Sequence, residues 1–249
     1  TGAAWFYGDV AVKGDRIVAV RPRGALAPSS AREVVDASGM VVAPGFIDIQ
    51  GHSGWFLLYG DSRVIGKVSQ GVTTEILGEG NTPAPLHPTR SLAPNADALQ
   101  RSFAEPRGFA NWLAAIEQRG MSLNVGSFVG ASTIRSYGMA ARAGRAGPAE
   151  LADMQGAVAR AMQDGAFGLA SALIYPPGVF ADTDELIAVS RAMRPFGGLY
   201  ITHMRSEGDQ LLEAVDEAIR IGRDADVPVE IYHLKASGPR NWPLGPQAI

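Results

Sequence analysis

Four short apolar runs each lead into a side chain able to bind a metal ion. GFIDIQ (residues 45–50) leads into His52, TTEIL (73–77) into Glu79, GLYIT (198–202) into His203 and VEIY (229–232) into His233. Each run reads as a strand, and in a barrel of parallel strands the strand C-termini converge on one mouth that holds the active site. Three of the chain's four histidines fall at such positions, a pattern that scattered surface histidines would not produce. Imidazole nitrogens with a carboxylate form a donor set suited to zinc and similar borderline ions. The chemistry implied is metal-assisted hydrolysis.

His203 and His233 lie 30 residues apart, the length of one strand–helix–strand repeat, so the spacing predicts adjacent strands with both rings at one mouth. Glu79 sits in LGEGNTPAP, where glycine on either side lets the backbone turn tightly and bring the carboxylate inward to bind one metal or bridge two. His52 is a candidate fourth ligand or a hydrogen-bonding partner of the nucleophilic water. Gln50, two residues earlier, is expected on the same strand face, where its amide is a poor zinc ligand and suits substrate orientation. Lys235 in YHLKASG and Arg205 in THMRSEGD follow their histidines by two residues. Either cation could hold a substrate carboxylate or pair with a neighbouring acid such as Glu207. Tyr175 closes a strand-like run before Pro176-Pro177 and is a substrate-contact candidate or simple packing. His87, flanked by prolines with no strand before it, reads as a surface loop residue without a role.

Two kinds of segment must position these groups. WFYGDVAVKGDRIVAV (5–20) alternates around a Gly14-Asp15 turn, and EVVDASGMVVAP repeats the pattern around Ser38-Gly39; both read as hairpins of a small β-domain, residues 1–43. From 44 to 249, strands alternate with amphipathic helices, and SLNVGSFVG (122–130) and AFGLASALIY (166–175) bring the strand count to six. Pro148 suits a first helical position in a run ending at Asp164-Gly165. Asp182 with Glu185 resembles a capping box. Leu211, Leu212, Val215, Ala218 and Ile219 form an apolar stripe at helical spacing. Apolar strands alternating with such helices imply an α/β fold with a parallel sheet covered on both faces. A complete barrel takes about 250 residues, so about six βα units read as an incomplete one, short of roughly two strands.

The 249 residues are 46% hydrophobic and 19% charged, with a formal net charge of −3 and no block of like charges. Neither nucleic acid nor a membrane surface is an expected partner. There is no cysteine, which excludes disulfides and thiolate ligands and leaves nitrogen and oxygen donors for any metal. The first ten residues lack the pattern of a secretory signal. A cytoplasmic location is the default expectation, with a periplasmic one if an upstream signal has been removed.

With these residues placed, the chain resembles the amidohydrolase superfamily, and within it the D-aminoacylase (N-acyl-D-amino-acid deacylase) branch. VVAPGFIDIQGHS, KVSQGVTTEILGEG, GAFGLASALIYPPG, GGLYITHMRSEGD and VEIYHLKASG keep order and spacing across almost the whole chain. The resemblance implies a metal-dependent TIM-like barrel beside a small β-sandwich, with one or two zinc ions and a zinc-activated water that cleaves a small-molecule N-acyl-D-amino acid. An oligomer is compatible with it. The resemblance makes Lys235 the binder of the substrate carboxylate. The chain also departs from the family pattern. The family's His-x-His is Gln50-Gly51-His52 here, and its cysteine-bearing turn is replaced by Gly78-Glu79-Gly80-Asn81. The aspartate that the family draws from its last barrel strand has no counterpart. Two alternatives accompany this reading. One is a cyclic-amide hydrolase of the dihydroorotase or hydantoinase type, which commonly carries a lysine on the fourth strand, where this chain reads FGLASALIY. The other is a truncated amidohydrolase that binds metal without turnover.

Overall fold

In the computed structural model, which describes residues 4–249, the chain separates into two units, Thr1–Pro44 and Gly45–Ile249. In the first, β1 (Gly8–Lys13) and β2 (Arg16–Pro22) pair antiparallel around Gly14-Asp15, with a bulge between Ala11 and Val12. Gly14 takes φ +62°, the left-handed conformation that a tight turn demands. The second expected hairpin keeps its turn, with Gly39 at φ +77° and Met40 N donating to Ala37 O, but residues 33–44 form no ladder. Val34, Val35, Val41 and Val42 are exposed, so no facing layer rewards pairing there.

The second unit carries the strands. β3 (Phe46–Gly51), α1 (Gly54–Tyr59), α2 (Ile65–Val68), β4 (Val72–Leu77), α3 (Ala98–Ser102), α4 (Gly108–Arg119) and β5 (Asn124–Ser127) come first. They are followed by β6 (Val129–Gly130), α5 (Ala131–Met139), α6 (Pro148–Gln163), β7 (Gly168–Ala172), α7 (Thr183–Arg191), β8 (Leu199–His203), α8 (Leu211–Ala225) and β9 (Val229–Ile231). β3-β4-β5 form one parallel sheet and β6-β7-β8-β9 another. Only Phe128 separates β5 from β6, and its N–H still donates to Leu77 O at 2.9 Å. The chain therefore presents six successive parallel strand positions, all pointing their C-termini the same way. β7 stops at Ala172, so Tyr175 lies in the following turn and not at a strand end as expected.

Helix ends follow the local sequence. Pro148 opens α6 and Glu150 reaches back to accept from Gly147 N at 2.6 Å. Asp182 caps α7 by accepting from Glu185 N at 2.9 Å. The expected capping box is only half formed, because the Glu185 side chain turns instead to the buried guanidinium of Arg135. α8 buries Leu211, Ala214, Ala218, Ile221, Gly222 and Ala225, while Ile219 is exposed. The buried stripe is rotated from the one expected because the helix rests on its small residues. A Cβ at Gly222 would meet Val229 Cγ2 at 2.3 Å.

β7 and β8 are buried on both faces, as expected, whereas β3 leaves Phe46, Ile47 and Ile49 exposed, so the sheet is not covered throughout. Leu169 and Tyr200 join Phe103, Phe109, Trp112, Ile134 and Met154 on the helix side, while Phe128, Ala170, Ile201 and Tyr232 form a separate cluster. Between β7 and β8, Ser171 Oγ lies 2.7 Å from both Tyr200 Oη and Thr202 Oγ1, a buried polar chain that fixes strand register beside His203. Burial pushes the Tyr200 hydroxyl up to about 12, so it stays a donor. Among the described residues no helix is long and apolar enough to cross a membrane.

Candidate metal centre

Glu79 stands two residues beyond the end of β4, in a turn that its flanking glycines allow. Gly78 takes φ +119° and Gly80 φ +69°, and a Cβ at Gly78 would meet Phe128 O at 2.5 Å. This tight passage brings the carboxylate inward, where its side chain is 5% exposed. His203 is the last residue of β8, and its carbonyl accepts from Leu173 N at 3.0 Å. His233 lies two residues past β9 with φ +36°, a left-handed conformation rare for a residue with a Cβ. Strict alternation would send neighbouring Tyr232 and His233 to opposite faces. The backbone reversal keeps Tyr232 buried while the partly exposed His233 ring turns to His203 and Glu79.

The three side chains converge. Glu79 Oε1 lies 3.0 Å from His203 Nδ1 and 3.8 Å from His233 Nε2, and the ligand atoms of the three residues all fall within 4.8 Å of one another. Bonds of about 2.1 Å in a tetrahedron set ligand–ligand separations of about 3.4 Å, and the two distances to Glu79 bracket that value. The histidine rings meet edge to face with centroids 4.6 Å apart. His203 Nε2 is buried with no hydrogen-bond partner among the described residues. Two imidazoles and one carboxylate are a zinc-type donor set, and the residues present fit such an ion.

The other oxygen of Glu79 faces the end of β3. Gln50 Nε2 donates to Oε2 at 2.7 Å and His52 Nε2 lies 3.0 Å from it. Gln50 therefore touches the carboxylate, and His52, whose side chain is 67% exposed, stands at the open side of the cluster. Lys235 approaches from beyond His233, with Nζ 3.0 Å from His233 Nδ1 and an ion pair to Glu207. Tyr175 is half exposed, its ring centroid 5.7 Å from that of His203.

Arg205 does not join this group. Its Nε and Nη2 grip both oxygens of Glu217 on α8 at 2.9 Å, and its remaining donors go to Val179 O and Ala181 O. A bidentate acid within reach on the next helix explains why it leaves the mouth. His87 packs against Tyr137 with centroids 4.9 Å apart and accepts from Thr89 N.

Two residues at the centre carried no site role in the sequence reading. From the sequence Glu207 is only an acid able to pair with a neighbouring cation, yet its Oε1 lies 3.0 Å from His233 Nδ1. Tyr232 is buried, with no partner for its hydroxyl among the described residues, and burial and then the charge of Glu79 push that hydroxyl well above the ordinary tyrosine range. Only the THMRSEGD loop and the aromatic next to His233 hinted at either.

No protein-family model matches the chain. A D-aminoacylase of Alcaligenes xylosoxydans xylosoxydans is 40% identical over 237 residues, 94% of this chain and 48% of the relative. An N-acyl-D-aspartate deacylase of the same organism is 38% identical over 237 residues, again 94% of this chain and 47% of the relative. Among solved structures, the N-acyl-D-glutamate deacylase of Bordetella bronchiseptica, complexed with zinc and a phosphonate that mimics the tetrahedral intermediate, superposes with a TM-score of 0.83 at 32% identity. That match covers 100% of this chain and 52% of the other. The chain thus spans about half the length of the curated relatives it matches.

Proposed function

The chain belongs, by homology over about half of their length, to the D-aminoacylase and N-acyl-D-amino-acid deacylase branch of the amidohydrolase superfamily, and on that premise we propose that it carries the zinc-binding part of an N-acyl-D-amino-acid deacylase. The full-length protein would hydrolyse the N-acyl amide bond and release a free D-amino acid and a carboxylic acid. The supporting observation is the meeting of Glu79, His203 and His233, from three strand ends, with ligand atoms within 4.8 Å of one another. The six strands would be the first six of an eight-stranded barrel, whose closure needs about two more. The β1–β2 unit would be part of a β-sandwich.

Glu79, His203 and His233 would hold the ion. Zinc there supplies Lewis acidity, polarising the amide carbonyl and lowering the pKa of water from 15.7 to about 7. The protein's own groups do the rest. Gln50 and His52 hold the second oxygen of Glu79, so the carboxylate presents one fixed oxygen to the histidine pair. His52 also stands where it could ligate a second ion or exchange a proton with water. Lys235 commits one of its three N–H donors to Glu207, leaving donors for the carboxylate of the amino-acid moiety. Tyr175, half exposed beside His203, would form a wall of the substrate site. Arg205, with its fork already engaged, is given the task of holding α8 to the 178–181 turn in place of substrate binding. The acid–base group that moves the proton to the leaving amine is proposed to lie outside these residues.

The test is zinc-dependent release of amino acid from a panel of N-acyl-D-amino acids by the full-length protein, with L-enantiomers and hydantoin as competitors. His203→Ala should lose about one equivalent of zinc per chain, the share expected of a single three-ligand site. A zinc-loaded protein inert on the panel, or one that opens hydantoin instead, would overturn the assignment. The proposed compartment remains the cytoplasm.

A further inference from the structure

Glu207 has no part in the reaction described above, although its side chain is only 13% exposed and lies at the centre of the site. It belongs to the loop between β8 and α8. Its Oε1 stands 3.0 Å from His233 Nδ1 and 3.8 Å from His203 Nε2. These are the two ring nitrogens that do not face Glu79, because His233 presents Nε2 to that carboxylate and His203 presents Nδ1. One carboxylate oxygen therefore faces the rear of both imidazoles.

An imidazole that gives one nitrogen's lone pair to a cation must carry its proton on the other nitrogen, and an acceptor for that N–H fixes both tautomer and ring orientation. At His233 two neighbours give opposite instructions. Glu207 can only accept, so it keeps the proton on Nδ1 and leaves Nε2 free. Lys235 Nζ, also 3.0 Å from Nδ1, can only donate; unopposed, it would push the proton to Nε2 and block the ligand. Glu207 pairs with that same ammonium. At His203 the Glu207 oxygen is 3.8 Å from Nε2, too far for a hydrogen bond, while Glu79 stands 3.0 Å from Nδ1, so the tautomer argument applies to His233.

We propose that Glu207 is a positioning residue: an acceptor that holds His233 as the Nδ1–H tautomer and keeps Lys235 from reversing it. It deepens the reading of Glu79, His203 and His233 as zinc ligands and rests on it. The sequence favours such a role because Glu207 follows His203 by four residues, which lets the loop after β8 fold its carboxylate back behind the rings.

The experiment uses the full-length protein with the isosteric Glu207→Gln. Zinc affinity, measured by competition against a chelator of known affinity, should fall about 10- to 100-fold. The double variant Glu207→Gln/Lys235→Met should bind zinc more tightly than Glu207→Gln alone, because the competing donor has gone; a merely structural role for Glu207 predicts no such recovery. In the metal-free protein, imidazole ¹⁵N shifts should place the His233 proton on Nδ1 and show it moving to Nε2 in Glu207→Gln. If His203→Ala loses zinc while Glu207→Gln keeps full affinity, the proposal falls and the zinc assignment stands. Weaker affinity with an unchanged His233 tautomer would also overturn it. If the parent takes up no zinc, the zinc assignment fails on its own and the tautomer comparison decides the role of Glu207: a moved proton upholds it, an unmoved one ends it.

Discussion

Replacing Glu79 by glutamine changes no heavy-atom shape yet sets an insoluble orientation problem for the new amide. In the parent, Oε2 accepts from Gln50 Nε2 at 2.7 Å, so the glutamine must keep its oxygen on that side to avoid facing N–H against N–H. Its NH₂ is then turned to His203 Nδ1 and His233 Nε2, 3.0 and 3.8 Å away in the parent, and an amide nitrogen there has no lone pair for a cation. The opposite flip restores a ligand oxygen and breaks the contact with Gln50. One anionic ligand of three is lost in either case. Zinc sites built from four protein ligands bind with about 10–16 kcal/mol, or roughly 3 kcal/mol per ligand, so Glu79→Gln should weaken zinc binding by about two orders of magnitude. Without metal, the same NH₂ can donate to His203 Nδ1, and the melting temperature of the metal-free protein should stay close to the parent's. Chelator competition gives the affinity, elemental analysis the stoichiometry and calorimetry the melting temperature. Unchanged zinc affinity, or collapse of the metal-free fold, would refute the reasoning.

Three further outcomes follow from the same structure. Lys235→Met should lower kcat/KM on N-acyl-D-amino acids roughly 10- to 150-fold, the worth of a charged hydrogen bond of about 1.5–3 kcal/mol, while zinc content is retained; parallel loss of zinc would contradict it. Glu185→Leu strands the Arg135 guanidinium, 2% exposed, and should cost about 3–5 kcal/mol and roughly 6–20 °C in Tm, whereas Arg135→Met/Glu185→Leu should recover most of it. Asp48 is held below the ordinary aspartate range: burial opposes this, but the hydrogen bond from Lys67, the Gln50 amide and the charge of Lys67 outweigh it. A lowered folded pKa stabilises the fold above the unfolded value of about 3.9 and is lost as pH falls through the folded one. Urea melts should therefore show the parent losing stability more steeply than Asp48→Asn in that acid window.

The strand ends were legible because two signals coincide in them. An apolar run of five or six residues marks a buried parallel strand, and a histidine or glutamate at its close stands out against it. The glycines around Glu79 announced the inward turn, and the structure gives them the φ values that turn requires. The half-formed capping box at Asp182 and the rotated stripe of α8 were misread for one reason. Glu185 answers to Arg135, and α8 seats Gly222 against Val229 and leaves Ile219 exposed; both depend on other elements, which local spacing does not reveal. Arg205 was misplaced likewise, because Glu217 is twelve residues away in sequence and one helix away in space.

The sequence by itself determined which residues could bind a metal and which strands would carry them, because strand period and residue chemistry are local properties. Only the tertiary structure decided which oxygen of Glu79 faces the histidines, that His233 turns to His203 and Glu79 through a left-handed backbone, and that Glu207 lies behind both rings. Those outcomes depend on distances between segments far apart in the chain. Packing of several elements at once sets them, and no single stretch of residues contains them.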